Sequence, residues 1–233
     1  MPCRAVLLDF FNTLSIACRR GPQHAAIARL LGCDPAEWIA TLDRTYALRA
    51  RGAYGSMFDG LYRLAREAGG RPTRRQVAAA AVARVRALSA DAPLRAEAEP
   101  LLRLLRFCGL RTGVVSDCWF ELPLFLPRLP IGPLLDAKTF SVEVGATKPS
   151  PAMYADACAK LGVEPEECVY VGDGGGMELT GAQLFGMTAI RLAAPDLGDH
   201  LSFAPDTGWI GPTITSLAEL PHLLVRAPAL VNT

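Results

Sequence analysis

Hydrophobic residues recur along this chain with two different periods. Four short runs are apolar almost throughout: AVLLDF (5–10), RTGVVS (111–116), CVYVGD (168–173) and TAIRLA (188–193). Unbroken runs of this length are the pattern of parallel strands buried on both faces. Elsewhere the spacing lengthens to that of a helix. Leu101, Leu102, Leu104 and Leu105 fill one stripe after Pro100. The segment SPAMYADACAKLG (150–162) offers Ser150 as N-cap, Pro151 at the first helical position and Gly162 as the stop. Strands alternating with helices predict an α/β fold, a parallel sheet with helices on both faces.

From about residue 15 to 95 the alternation lapses and only helical spacing remains. Ile27, Leu30 and Leu31 form one group; Trp38, Leu42 and Tyr46 a second; Phe58, Leu61, Leu64 and Ala65 a third; Val77, Ala81, Val85 and Leu88 a fourth. Turn signals at Gly32, Gly52 and GGRP (69–72) separate them. The expectation is four helices inserted after the first strand, dividing the chain into a core of 1–14 and 96–233 and an inserted unit of 15–95. The tail APALVNT (227–233) is expected to fray.

Composition narrows the choice of partner. The 233 residues are 51% hydrophobic, enough for a sizeable core, and 24 basic against 23 acidic residues leave a net charge of +1 with no long block of either sign. A nucleic-acid or membrane-surface binder would show a basic stripe or a basic amphipathic helix, so neither partner is expected. The apolar stretch AAAAVA (78–83) is far short of a membrane span. The opening MPCRAVLL lacks a charged leader followed by an apolar block and a cleavage site, so no secretory signal is expected. Seven cysteines without a CxxC pair read as reduced, mostly buried thiols of a cytoplasmic protein, monomer or homodimer. Three dispersed histidines do not suggest a metal trio.

The polar residues that interrupt the strand runs carry the chemistry. Asp9 stands at the end of the first run, Ser116 ends the second, Asp173 ends the third, and Glu178 follows five residues later. Lys148 lies in GATKPSPAMY, just ahead of a helix start. In a parallel sheet, ligands bind at the carboxyl ends of the strands, so these groups converge on one rim. Three carboxylates in one crevice repel one another unless a lysine and a divalent cation offset them. Oxygen-only ligands and an anionic small-molecule substrate favour Mg²⁺ over zinc. Taken singly each residue is ordinary: a strand-end Asp is usually a turn residue, Ser116 a helix cap, Lys148 a surface lysine, and Glu178 a charge on a first helical turn.

Together they resemble the haloacid dehalogenase (HAD) superfamily of hydrolases. LLDFFNTL resembles the family's first motif, GVVSD its second, GATKPSP its third and VYVGDGGGMELTGAQLFGM its fourth, in the right order and spacing. The resemblance implies a Rossmann-like parallel-sheet core with an inserted four-helix cap. It also implies that Asp9 is the nucleophile, that Ser116 holds the transferred group, and that Lys148 neutralises charge. Mg²⁺ would be held by Asp9, the Phe11 backbone carbonyl and Asp173, with Glu178 as ligand or supporting that ligation. Phe11, Asn12 and Asp117 would face the substrate, and Asn12 stands where the family usually has glycine, which Asn can replace in a left-handed turn. Among the cap arginines at 44, 49 and 51, Arg49 is assigned to a carboxylate or phosphate of the substrate, although such arginines more often form a solvated helix face.

One position departs from the family's phosphatases. They carry a second Asp two residues after the nucleophile, which protonates the leaving alcohol, and here that residue is Phe11. An aromatic is normal there in the haloacid dehalogenases, where halide leaves without a proton. The retained acids of the fourth motif favour a metal-dependent phosphohydrolase, with a 2-haloacid dehalogenase, or a weakly active binding or regulatory member, as the alternatives.

Overall fold

The structure, a computed structural model, describes residues 3–198 and 203–226. His200 and the tail at 227–233 lie outside the described residues. Six strands, β1 (Ala5–Leu8), β2 (Arg111–Ser116), β3 (Ala137–Phe140), β4 (Cys168–Gly172), β5 (Thr188–Leu192) and β6 (Thr213–Ile214), form one sheet in the order β3-β2-β1-β4-β5-β6. Every pairing is parallel. The four apolar runs all become strands. β3 and β6 are not expected from the sequence, because AKTF and TI are too short to show a period.

The side chains of β1 divide strictly by parity. Val6 and Leu8 enter one apolar cluster with Val114, Val169 and Val171; Ala5 and Leu7 enter another with Val115, Cys168 and Tyr170. The first cluster is closed by α6 (Ala98–Phe107), α7 (Glu121–Phe125) and α11 (Leu220–Arg226). The second is closed by α9 (Pro151–Leu161) and α10 (Glu178–Leu184), while the short α8 (Ser141–Val144) follows β3. Helix α9 begins with Pro151 at its first position and ends at Gly162 in the left-handed conformation, as expected, although Ser150 makes no capping hydrogen bond. Leu104 is a partial correction: Leu101, Leu102 and Leu105 are buried, but Leu104 faces solvent.

Between β1 and β2 the chain forms α1 (Gln23–Leu30), α2 (Pro35–Arg44), α3 (Tyr46–Ala50), α4 (Met57–Glu67) and α5 (Arg74–Asp91). These are the four expected helices plus α3, one short turn set off from α2 by Thr45, whose ψ near 0° breaks the helical path. They bury an apolar cluster of their own, centred on Leu31, Trp38, Leu61 and Leu64, while Phe58 is turned outward. Trp119, from the loop after β2, is buried in that cluster as well.

Candidate active site

The strand order turns back at β1: the chain adds β2 and β3 on one side of it, then β4, β5 and β6 on the other. The crevice at such a reversal is the usual ligand site of an open α/β sheet. Asp9 leaves β1 there, its backbone N–H donating to Val171 O at 2.9 Å. Phe11 is extended, and Asn12 takes the left-handed conformation (φ 64°) that lets the chain fold back. The Asn12 side chain then ties three segments together. Its Oδ1 accepts from the Cys18 backbone at 2.8 Å, and its Nδ2 donates to Asp173 Oδ2 at 3.1 Å. From below, buried Arg95 donates to the carbonyls of Asn12 (2.9 Å) and Thr13 (3.0 Å) and pairs with Asp196 (2.7 Å).

Lys148 is the centre of the charge arrangement. Its ammonium donates to Asp9 Oδ1 at 2.6 Å and to Glu178 Oε2 at 2.5 Å, with all three side chains nearly sealed from water. Burial pulls the lysine pKa down, but the Asp9 and Glu178 carboxylates outweigh it and hold the group protonated. Both Glu178 oxygens are engaged: Oε2 also accepts from Tyr170 Oη at 2.7 Å, and Oε1 accepts from the Gly174 N–H at 2.9 Å. Gly172 is required by this placement, since a Cβ there would overlap Glu178 Oε1. In the following loop Gly176 (φ 64°) passes so close to Asp117 that a Cβ would stand 3.2 Å from its Oδ2. Asp117 Oδ1 in turn accepts the Lys148 backbone N–H at 3.0 Å.

These groups open onto a cavity of about 400 Å³ bounded by the sheet edge and the inserted helices. Asp9, Phe11, Asn12, Arg49, Asp117, Lys148 and Asp173 all line it. Ser116 and Glu178 are not in its wall; both are fully buried behind it, and Ser116 Oγ has no hydrogen-bond partner among the described residues. Arg49 is no solvated surface arginine: it is buried over the Trp119 ring, with Nε donating to Thr45 Oγ1 (3.1 Å) and Nη2 to Leu42 O (2.7 Å). Sequence pattern does not single out Tyr170, which looks like one more apolar residue of a strand, or Arg95, a lone arginine in a loop. Nor does it reveal two buried side-chain pairs in the cavity wall, the hydrogen-bonded His24–Asp91 and the ion pair Arg84–Glu121. Only their contact across 67 and 37 residues of sequence gives them meaning.

The donor set fits a hard divalent cation. Asp9, Asp173 and Glu178 can each bring one carboxylate oxygen within 4.8 Å of the others, and no nitrogen or sulfur ligand joins them among the described residues. Lys148 alone does not balance three acids. Burial pushes the Asp9 carboxyl up to about 6, with Lys148 opposing the rise and Asp173 adding to it. Both oxygens of Asp173 already accept, from Asn12 and from the Gly175 N–H, as both oxygens of Glu178 do, and Glu178 also anchors Lys148 beside the other two acids.

A parallel sheet reversing at its central strand, with an aspartate, a lysine and an acidic loop converging there, defines a class of hydrolase. Residues 3–186 match the sequence profile of the haloacid dehalogenase-like hydrolases, and the chain belongs to that family. It is similar to the glyceraldehyde 3-phosphate phosphatase of Methanopyrus kandleri, 34% identical over 134 residues that cover 55% of this chain and 56% of that protein. It is also similar to (S)-2-haloacid dehalogenase 1 of Pseudomonas sp., 32% identical over 128 residues covering 54% and 53%. The chain thus spans about half the length of these relatives. A 2-haloacid dehalogenase from Pseudomonas syringae shares the fold, with a TM-score of 0.71 at 20% identity over 97% of this chain and 99% of that one.

Proposed function

We propose that this hydrolase is a Mg²⁺-dependent phosphohydrolase of small phosphorylated metabolites, working through an aspartyl nucleophile under a cap formed by residues 15–95. The observation that carries the reading is the excess of carboxylate over ammonium around Lys148, which a cation and a phosphoryl group would balance together. A Mg²⁺ ion held by Asp9, the Phe11 carbonyl and Asp173 would supply Lewis-acid stabilisation of the phosphoryl oxygens. Asp9 attacks phosphorus in line. Lys148, fixed by Glu178, offsets the charge that develops on the oxygens. Phe11 contributes no proton.

The 2-haloacid dehalogenase reading is supported by Phe11, since a departing halide needs no acid, and by the sequence similarity to a 2-haloacid dehalogenase. The two are separated by what is released. Phosphate from a panel of small phosphate monoesters and acyl phosphates, lost on chelation of the metal, supports the phosphohydrolase. Halide from 2-haloacids, indifferent to chelation, overturns it.

A further inference from the structure

The cavity wall contains a second titratable constellation, held by α1 and the end of α5. His24 Nε2 lies 2.6 Å from Asp91 Oδ2, and both side chains are more than nine-tenths buried. The other oxygen of Asp91 accepts the Gly21 N–H at 2.9 Å, so the carboxylate is fixed from two sides. With Nε2–H held by Asp91, the nitrogen that can exchange a proton is Nδ1, and Nδ1 is buried with no hydrogen-bond partner among the described residues. A carboxylate orienting an imidazole whose second nitrogen is left over is the arrangement of a general acid–base pair.

Its location answers the gap left by Phe11. His24, Asp91, Cys18, Phe11 and Asp9 all line the one cavity. Cys18 is tied to the loop after β1 by its N–H bond to Asn12 Oδ1, and burial pushes its thiol up to about 11, with Asp91 adding to the rise. Arg20, on the same side of the cavity, is bound to Asp43 rather than to the dyad. Leu88, one turn before Asp91, and Phe11 both pack against the same apolar cluster.

Resting on the phosphohydrolase reading, we infer that His24, positioned by Asp91, is the general acid–base residue that Phe11 cannot be. As Asp9 forms its bond to phosphorus and the phosphorus–oxygen bond to the alcohol breaks, the imidazolium, with its buried Nδ1 uncovered by a shift of the neighbouring side chains, gives its Nδ1 proton to the departing oxygen. The neutral imidazole then takes a proton from the water that attacks the aspartyl phosphate. Phosphate leaves, and both the Asp9 carboxylate and the imidazolium are restored.

The test compares the native protein with His24→Gln and Asp91→Asn on the fastest alkyl phosphate of a panel (glycerol phosphate, phosphoserine, phosphoglycolate) and on acetyl phosphate, whose leaving group needs little protonation. The expected result for His24→Gln is a fall of about 10²–10⁴ in kcat on the alkyl phosphate against less than about tenfold on acetyl phosphate, with KM little changed. Asp91→Asn, which can keep the Gly21 contact, shows the same split at smaller size and guards against a His24 variant that fails to fold. Equal losses on both substrates in both variants would mark the pair as structural and overturn the assignment. So would a native protein that cleaves only the acyl phosphate, and in both cases the phosphohydrolase reading survives. A native protein inactive on every phosphate overturns that reading and this assignment together.

Discussion

Asp9 Oδ1 sits 2.6 Å from the Lys148 ammonium, so replacing the carboxylate by an amide removes the proposed nucleophile while leaving an acceptor for the lysine. Asp9→Asn is expected to lower turnover by about 10³-fold or more while the protein remains folded, measured by phosphate release and circular dichroism. The partner prediction concerns Phe11. If His24 carries the proton, Phe11→Asp placed in a His24→Gln background restores at least part of the lost alkyl-phosphate turnover, because a carboxyl at 11 faces the same cavity. No recovery, with the fold intact, would separate the two positions. Asp9 and Asp173 are legible from the order of amino acids alone, since a charge that halts an apolar run is conspicuous. Tyr170, His24 and Asp91 are not. Each is unremarkable among its sequence neighbours, and each acquires a role only through a partner brought in by folding, Glu178 for Tyr170 and one another for the dyad.

At the level of elements, the strands that carry the chemistry are legible in their apolar runs, and the inserted helices in their spacing. What the pattern does not give is the short pieces, β3, β6 and α3, where too few residues stand in register for any period to emerge. It also gives no sign of the charge buried between α5 and α7. Arg84 pairs with Glu121, and Arg49 lies near enough for its guanidinium to be held below the usual arginine range, mainly by burial and then by Arg84, while Glu121 opposes the shift. Removing the one acid leaves two buried cations without compensation. Glu121→Ala is therefore expected to destabilise the protein by about 3–5 kcal/mol, read as a lowered denaturation midpoint. Replacing Arg84 and Glu121 together by apolar residues of similar volume should cost far less, and equal costs would refute the pairing argument.

For the whole molecule, the walls of the cavity are assembled from different parts of the chain. The loops at the carboxyl ends of the strands supply Asp9, Lys148 and Asp173, and the helices between β1 and β2 supply the facing wall. Chelation of divalent metal is expected to abolish phosphate release, and Mg²⁺ to restore it; turnover unaffected by chelation would remove the cation from the account. Trp119 joins the two parts in a way that can be observed directly. It belongs to the loop after β2 yet is buried among the side chains of the inserted helices, with its ring beneath Arg49 and against Phe120 and Tyr54. The protein therefore contains its own optical reporter. Ligand entering the cavity of an Asp9→Asn variant should alter the intrinsic emission, and Trp119→Phe should silence that signal, so that occupancy can be followed without a label.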